Sequence, residues 1–259
     1  MTVQRRKIDG VPTLILRPKT TPPIRVGVLW LHGGGYMFGA KEMVYLSAAP
    51  EMLKGYGATI IAPGYRLSWC HPYPAAVEDS FAVLRYVDAH KEELGIDRIM
   101  IGGESAGGGL TAALCMMARD NGIHISFQMP LYPMLSNADT DTSRDNHAHV
   151  WNTRWNHLGW KLYLRGDAKG EVSPYAAPAR QTDYAGLPPC YTFVGDGDPF
   201  LAETLAYVQA LQEAGIEAAA DVYPCNVHGF DELFPGKDIT IEARRKLMER
   251  FAYALENYE

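Results

Sequence analysis

The composition of this 259-residue chain is that of an ordinary globular protein, with 47% hydrophobic and 21% charged residues. Its formal net charge of -6 argues against nucleic acid or an anionic membrane surface as the main partner, because both are bound through clustered Lys and Arg. No apolar segment near Met1 is long enough for a signal peptide or a membrane-spanning helix. We therefore expect a cytoplasmic protein, and the length suits a single α/β domain.

The residues that bind metals and cofactors form no recognisable motif. The four cysteines are far apart and contain no C-x-x-C pair, which predicts reduced thiols rather than a disulfide framework or a zinc site. His147 and His149 lack a third ligand at suitable spacing. No glycine-rich nucleotide-binding pattern is present either. We expect neither a metal nor a cofactor.

The first half of the chain alternates apolar runs with helix-like segments. Thr13 to Leu16 is predicted to be an early edge strand. Ile24 to Leu31 is almost continuously apolar, which is typical of a parallel strand covered on both faces. The further predicted elements are, in chain order, a helix over Lys41 to Lys54, a strand over Ala58 to Ala62, a helix over Pro74 to Leu94, a strand over Ile99 to Ile101, a helix over Leu110 to Arg119 and a strand over His124 to Met129.

The pattern changes between about Met134 and Gly186, where strand signals disappear and three of the five tryptophans occur. Trp151, Trp155, Leu158 and Leu162 recur at helical spacing, which predicts an amphipathic helix. A long insertion of this kind is where a lid over an active site would lie. We predict a small cap built mainly from residues 134 to 186.

The regular alternation then returns. The last predicted elements are a strand over Cys190 to Val194, a helix over Phe200 to Ala214, a strand over Ala218 to Tyr223 and a helix from about Ile239 to Glu256. Alternating strands and helices predict an α/β fold with a doubly wound, mostly parallel sheet and helices on both faces. Such sheets bind ligands beyond the carboxyl ends of their strands. Ser105, the glycines at 33 to 35, Asp198 and His228 all follow predicted strands, so one edge of the sheet should collect them.

Gly103 to Gly107 fits the G-x-S-x-G pattern of a nucleophilic serine on a tight strand-to-helix turn. Small residues at 103, 106 and 107 allow the close backbone approach that such a turn needs. The alternative is a glycine-rich junction whose serine merely caps the helix. For a catalytic serine, a histidine must take its proton and a carboxylate must orient that histidine. His228 is the candidate base, and Asp198 is preferred over Asp196 because Pro199 can open the next helix.

Seven segments carry a resemblance to one family. They are His32 to Gly35, Tyr65 to Leu67 with His71 to Ala76, Gly103 to Gly108, Ser173-Pro174, Gly186 to Pro189, Asp198-Pro199 with Glu203, and His228 to Phe230. In this order they resemble the hormone-sensitive-lipase-like esterases of the α/β-hydrolase fold.

The resemblance implies a catalytic triad and an oxyanion hole. Ser105 would be the nucleophile, His228 the general base and acid, and Asp198 its orienting carboxylate. The backbone N–H groups of Gly34, Gly35 and Ala106 would form the oxyanion hole. Glu203 matches an acidic residue that supports the triad, although Leu201 and Ala202 replace the family's usual Arg-Asp, and His32 is expected to be structural.

These features together predict two-step hydrolysis of short-acyl esters of small molecules, without a cofactor. The short-acyl expectation rests on the resemblance and on five bulky residues near the expected pocket: Tyr36, Met37, Phe38, Trp151 and Trp155. The segment before Ile24 is shorter than in many family members, so we expect either an open pocket or one completed by a second subunit of a homo-oligomer. An arylformamidase-like amidase with the same triad remains an alternative. A non-catalytic receptor on this fold, as in plant gibberellin receptors, is disfavoured by the presence of His228.

Overall fold

The computed structural model describes residues 1–20, 22–166 and 171–259. These residues form an eight-stranded sheet in the order β1-β2-β4-β3-β5-β6-β7-β8. The strands are β1 (Thr2–Ile8), β2 (Val11–Arg17), β3 (Val26–Leu31), β4 (Thr59–Pro63), β5 (Arg98–Glu104), β6 (Phe127–Leu131), β7 (Cys190–Gly195) and β8 (Ala218–Tyr223). The helices are α1 (Ala49–Tyr56), α2 (Ala75–Ala89), α3 (Lys91–Leu94), α4 (Ala106–Asp120), α5 (Thr153–Tyr163), α6 (Leu201–Glu213), α7 (Phe230–Leu233) and α8 (Asp238–Asn257).

The sheet is parallel from β4 to β8, and only β1 and β2 run antiparallel to their neighbours. Every residue of β3, β4, β6 and β7 is buried, because helices cover both faces of the sheet. One face packs against α2, α4 and α6 through residues such as Leu84, Leu114 and Leu211. The other packs against α1 and α8 through residues such as Met52 and Phe251. The doubly wound, mostly parallel α/β architecture predicted from the sequence is confirmed.

The edge of the sheet differs from the prediction. Thr13 to Leu16 lies in β2, and β1 pairs outside it from Thr2 to Ile8. Only Ile8 of β1 is buried, and its polar sequence gives no apolar run to detect. The available signal is the turn, since Asp9-Gly10 between two strands has positive φ values of 47° and 87°, as in a tight hairpin.

The helix predicted over Lys41 to Lys54 is wrong as a single element. It divides into a 3-10 turn, Lys41–Tyr45, and α1, which begins at Ala49. Pro50 lies in the first turn of α1, where its missing N–H costs nothing, whereas it would break the interior of a longer helix. The predicted helix Pro74 to Leu94 likewise divides at His90.

The segment between β6 and β7 contains the predicted amphipathic helix, α5, and a 3-10 turn at Pro178–Arg180. Residues 167–170 of the predicted cap lie outside the described residues. The helix buries a different face from the predicted one: its buried residues are Asn156, Gly159, Trp160 and Tyr163. Trp155 is 40% exposed, and Trp151 precedes the helix. In the described part of the chain, no helix is both long and apolar enough to cross a membrane.

The junction between β5 and α4 depends on close backbone packing at Gly107. A methyl group on Gly107 would overlap the carbonyl oxygens of Leu31 and His32, which belong to the neighbouring strand and the loop after it. These are backbone atoms that cannot rotate away. The first turn of α4 is thereby held against the carboxyl end of β3.

Replacing Gly107 with Ala should lower the free energy of unfolding by about 3 kcal/mol, because α4 must move away from β3. Gly55→Ala is the matched control. Gly55 lies within α1, and no atom lies within 4 Å of the place that a Cβ would occupy, so the same substitution should stabilise the protein by about 0.5–1 kcal/mol. Urea unfolding measures both, and equal stability of the two variants would contradict the packing argument.

Candidate active site

Ser105 lies at the turn between the last residue of β5 and the first residue of α4, with φ 56° and ψ -117°. A non-glycine residue rarely adopts this conformation, which costs about 1–3 kcal/mol. Backbone hydrogen bonds hold the turn: the Ser105 N–H donates to the Leu131 carbonyl at 3.0 Å, and the Ser105 carbonyl accepts from Gly109 and Met134 at 2.9 and 3.0 Å. The side chain therefore projects from the tip of the turn.

A row of hydrogen bonds joins Ser105 to His228 and Asp198. The Nε2 atom of His228 lies 2.8 Å from Ser105 Oγ, and its Nδ1 atom lies 2.7 Å from Asp198 Oδ2. With the proton on Nδ1, His228 donates to Asp198 and accepts from the Ser105 hydroxyl, which is the arrangement for removing the serine proton. All three residues are at most 5% exposed.

The two candidate acids have different partners. Asp198 Oδ1 accepts from the Phe200 N–H at 2.9 Å, which fixes the carboxylate facing His228. Asp196 accepts instead from the Cys225 N–H at 2.9 Å, so it stabilises the turn after β8. The structure thus brings the preferred acid, Asp198, next to the histidine and leaves Asp196 outside the row.

Aromatic rings surround the imidazole of His228. The rings of Tyr132 and Phe200 meet it edge-on, each at 5.1 Å between centroids, and Trp151 lies 6.3 Å away. The Tyr132 hydroxyl donates to Asp231 Oδ1 at 2.7 Å, which anchors that ring. Sequence reasoning did not single out Tyr132 and Phe200. The signal available for Tyr132 is its place directly after β6, at the same edge of the sheet as Ser105.

The predicted oxyanion residues lie on two sides of Ser105. The Gly34 carbonyl accepts hydrogen bonds from the Met37 and Phe38 N–H groups at 3.0 and 2.9 Å, which closes the glycine loop into a tight turn. Ala106 is the first residue of α4, so its N–H points out of the positive end of the helix. Within the described residues, no carbonyl or side chain accepts from the N–H of Gly34, Gly35 or Ala106.

His32 holds the glycine loop in place through a hydrogen bond and ring stacking. Its Nδ1–H donates to the Gly33 carbonyl at 2.8 Å, and its ring stacks on Tyr65 at 4.1 Å between centroids. The Tyr65 hydroxyl donates to the His32 carbonyl at 2.7 Å. Burial lowers the pKa of His32 to about 4, so the ring is neutral at pH 7. These contacts fit the structural role expected for His32.

A cavity of about 200 Å³ opens above Ser105 and His228. Its walls include Trp151, one of the five predicted pocket residues. The other lining residues are Gly33, Gly34, Met43, Glu104, Tyr132, Val150, Gly229, Glu232 and Leu233. The glycine loop, Glu104 and Gly229 belong to motifs that the sequence carries, and Tyr132 directly follows β6. The sequence offers no such signal for Met43, Val150, Glu232 and Leu233, because only the fold brings them together.

Four of the five predicted pocket residues do not line this cavity. Tyr36 and Met37 are at most 1% exposed, because the chain turns back into the core after Gly35, and Tyr36 stacks on Tyr163 at 3.8 Å. Their role as substrate-binding residues thus has no support from the lining of this cavity. Phe38 and Trp155 lie on the surface, 46% and 40% exposed, with their rings 6.3 Å apart.

Trp151 lies directly over the glycine loop. A methyl group on Gly35 would overlap the six-membered ring of the Trp151 indole, and the φ of Gly35 is 59°. Glycine is therefore required there both by the backbone conformation and by the aromatic ring above it. Trp151 is thus the contact between the segment before α5 and the candidate oxyanion hole.

Glu203 lies in the first turn of α6 and is 3% exposed. Its Oε1 atom accepts from the Leu135 and Ser136 N–H groups at 2.6 and 3.2 Å. Burial raises the pKa of Glu203 to about 8, with the nearby Asp198 charge acting in the same direction. Glu203 therefore joins the helix that follows Asp198 to the start of the segment between β6 and β7.

Comparisons with known proteins point to one family. Residues 28–232 match the family model described as the alpha/beta hydrolase fold. The carboxylesterase NlhH of Mycobacterium tuberculosis is 30% identical over 238 residues, which cover 86% of this chain and 72% of the relative. The acetyl esterase of Salmonella paratyphi A is 28% identical over 228 residues, covering 85% and 69%. The solved structure of a bacterial heroin esterase has a TM-score of 0.90 and 32% identity, covering 98% of this chain and 84% of that one.

Glu203→Gln should remove a pH dependence of stability. The pKa of Glu203 is about 8 in the folded state, whereas the ordinary pKa of a glutamate, as in the unfolded chain, is 4.5, so the folded state binds more protons between these values. The free energy of unfolding of the wild type should fall through this range by up to a few kcal/mol relative to the variant, which keeps both backbone hydrogen bonds. Denaturant unfolding at pH 5 to 8 measures the difference. Glu213→Gln, at the exposed end of the same helix, should follow the wild type.

Proposed function

Because this chain belongs to the α/β-hydrolase family, among its hormone-sensitive-lipase-like esterases, and is a carboxylesterase, we propose that it hydrolyses short-acyl esters through an acyl-enzyme on Ser105. The observation that carries the proposal is the row of hydrogen bonds from Asp198 through His228 to Ser105, which ends at a small cavity. The relatives reported above are esterases, which does not favour the amidase alternative.

In the first step, Ser105 Oγ attacks the carbonyl carbon of the ester while His228 Nε2 takes the hydroxyl proton. The Asp198 carboxylate accepts the Nδ1–H bond, so it keeps Nε2 unprotonated before attack and stabilises the imidazolium afterwards. When the tetrahedral intermediate collapses, the bond to the alkoxy oxygen breaks. His228 then gives its proton to the departing alcohol.

In the second step, water takes the place of the alcohol. His228 Nε2 removes a proton from the water as it attacks the acyl-enzyme carbonyl, and returns that proton to Ser105 Oγ when the acid leaves. In both steps negative charge develops on the former carbonyl oxygen. The N–H groups of Gly34, Gly35 and Ala106 are the proposed donors to it, and each such donor contributes about 10²- to 10³-fold to the rate.

The size of the cavity supports a short acyl group. Its volume of about 200 Å³ lies below the roughly 300–1,000 Å³ that is typical of ligand pockets. This space suits an acetyl to butanoyl chain better than an octanoyl chain. Trp151 is 6% exposed and contacts Gly35, so its ring is a fixed wall rather than a flexible one.

Ser105→Ala should lower kcat/KM for p-nitrophenyl acetate by about 10⁴-fold or more, because none of the other described residues that line the cavity is a serine, threonine or cysteine. Ser126→Ala is the matched control. Ser126 directly precedes β6 and is also buried. Its hydroxyl donates to the carbonyl of Ile99 in β5, and the residue lies outside the cavity. Activity retained in Ser105→Ala, or lost equally in both variants, would contradict the assignment.

Trp151→Ala should shift the acyl preference towards longer chains. On p-nitrophenyl esters from acetate to octanoate, the wild type should lose kcat/KM with length, and the variant should raise the octanoate-to-acetate ratio about tenfold or more. Trp155→Ala removes a tryptophan that does not line the cavity, and its chain-length profile should match the wild type. If Trp151→Ala leaves the profile unchanged, this ring does not limit the acyl group.

A further inference from the structure

The cavity above Ser105 has an acidic wall. Besides His228, its ionisable lining residues are Glu104 and Glu232, and no Lys or Arg lines it in the part of the chain that the structure describes. The mechanism proposed above uses neither carboxyl. A cleft lined by one sign of charge concentrates ligands of the opposite sign.

The Glu104 carboxyl already accepts a hydrogen bond from a neighbouring side chain. Its Oε1 atom accepts the Trp30 Nε1–H at 2.7 Å, and the residue is 1% exposed. Burial, reinforced by the charges of Glu232 and Asp231, raises the pKa of Glu104 well above its usual range. Glu104 therefore already has a hydrogen-bond donor, and its buried surroundings disfavour its charged form.

Glu232 lies on α7, four residues after His228, and its Oε1 atom is buried without a hydrogen-bond partner among the described residues. Burial raises the pKa of Glu232 to about 7; Asp231 raises it further, whereas Arg244 and His228 oppose the shift. Arg244, whose charge acts on Glu232, bonds to Glu51 at 3.0 Å and lies 3.7 Å from Asp231. Asp231 in turn accepts from Tyr132. Glu232 is thus the cavity carboxyl left without a fixed partner.

We propose that Glu232 determines specificity by selecting esters that carry a positively charged amine close to the ester group. The proposal rests on the function proposed above. A cation in the cavity would supply the charge partner that Glu232 lacks, in a site where few waters compete. The indole face of Trp151 on the same wall adds a surface that attracts cations. An ester carrying a carboxylate would meet repulsion instead.

The test compares two esters of the same shape. Acetylcholine carries a permanent positive charge, and 3,3-dimethylbutyl acetate has a carbon in place of the charged nitrogen. Hydrolysis is followed by pH-stat titration, and the quantity measured is the ratio of the two kcat/KM values. Because size and ester bond are nearly identical, effects on Ser105 or His228 chemistry cancel in this ratio.

The wild type should prefer the charged ester by about tenfold, and Glu232→Gln should reduce this preference to about one, whatever its effect on kcat/KM for the neutral ester. Glu242→Gln removes the same charge from the surface of α8, and its ratio should equal that of the wild type. Leu233→Lys adds a cation at a 49% exposed lining position, and it should lower the ratio even if Glu232→Gln does not fold.

The pH dependence gives a second readout. Only groups of the enzyme titrate, since the charge of acetylcholine is permanent. Glu232 is neutral below about pH 7 and anionic above it, so the wild-type ratio should rise between pH 6 and 8, whereas the Glu232→Gln ratio should stay flat.

Three outcomes are decisive. A wild-type ratio near one, or a ratio unchanged by Glu232→Gln, overturns the specificity proposal while leaving the esterase proposal intact, because the neutral ester is still hydrolysed. Failure of folded wild type to hydrolyse either ester or p-nitrophenyl acetate overturns the proposed function itself. A preference that disappears in Glu232→Gln but not in Glu242→Gln supports the assignment.

Discussion

The unusual backbone at Ser105 is the constraint on which the site depends. A positive φ at a serine persists only where surrounding structure holds it, and here the Leu131 and Gly109 backbone groups do so. Because Leu131 lies in β6 and Gly109 in α4, these hydrogen bonds form only when both elements pack close to β5. The same packing aligns the carboxyl ends of parallel strands, so that Asp198 and His228, which follow β7 and β8, reach the serine.

The segment before α5 closes one side of the cavity that lies at the carboxyl edge of the sheet. Trp151 covers Gly35 and forms a wall of the cavity, so one side chain bounds both the candidate oxyanion loop and the space for substrate. Val150 next to it has a φ of 74°, rare for a β-branched residue, and His149 pairs with Val227 just before His228. This pairing joins the loop that carries His228 to the segment that carries Trp151. The shape of the cavity therefore depends on the position of His228.

Buried carboxyls divide into two kinds around this site. Glu104, Glu203 and Asp231 each accept hydrogen bonds from an indole, from backbone N–H groups or from a phenol, which offsets part of the cost of removing them from water. Their partners come from different strands and helices, so these bonds also hold the site's elements together. Glu232 differs because none of the described residues donates a hydrogen bond to its buried Oε1 atom, and the residue lines the cavity.

The sequence by itself determined the alternation of strands and helices, the tight turn at Ser105 and the candidate residues Asp198 and His228, because apolar periodicity and glycine spacing are local properties of the chain. It missed β1, whose exposed polar residues carry no apolar signal, and it joined a 3-10 turn to α1, although Pro50 favours a helix start at that point. Only the tertiary structure decided that Tyr36 and Met37 enter the core while Trp151 and Glu232 line the cavity. Which side of a loop faces a pocket depends on contacts between residues distant in sequence, and these exist only once the chain has folded.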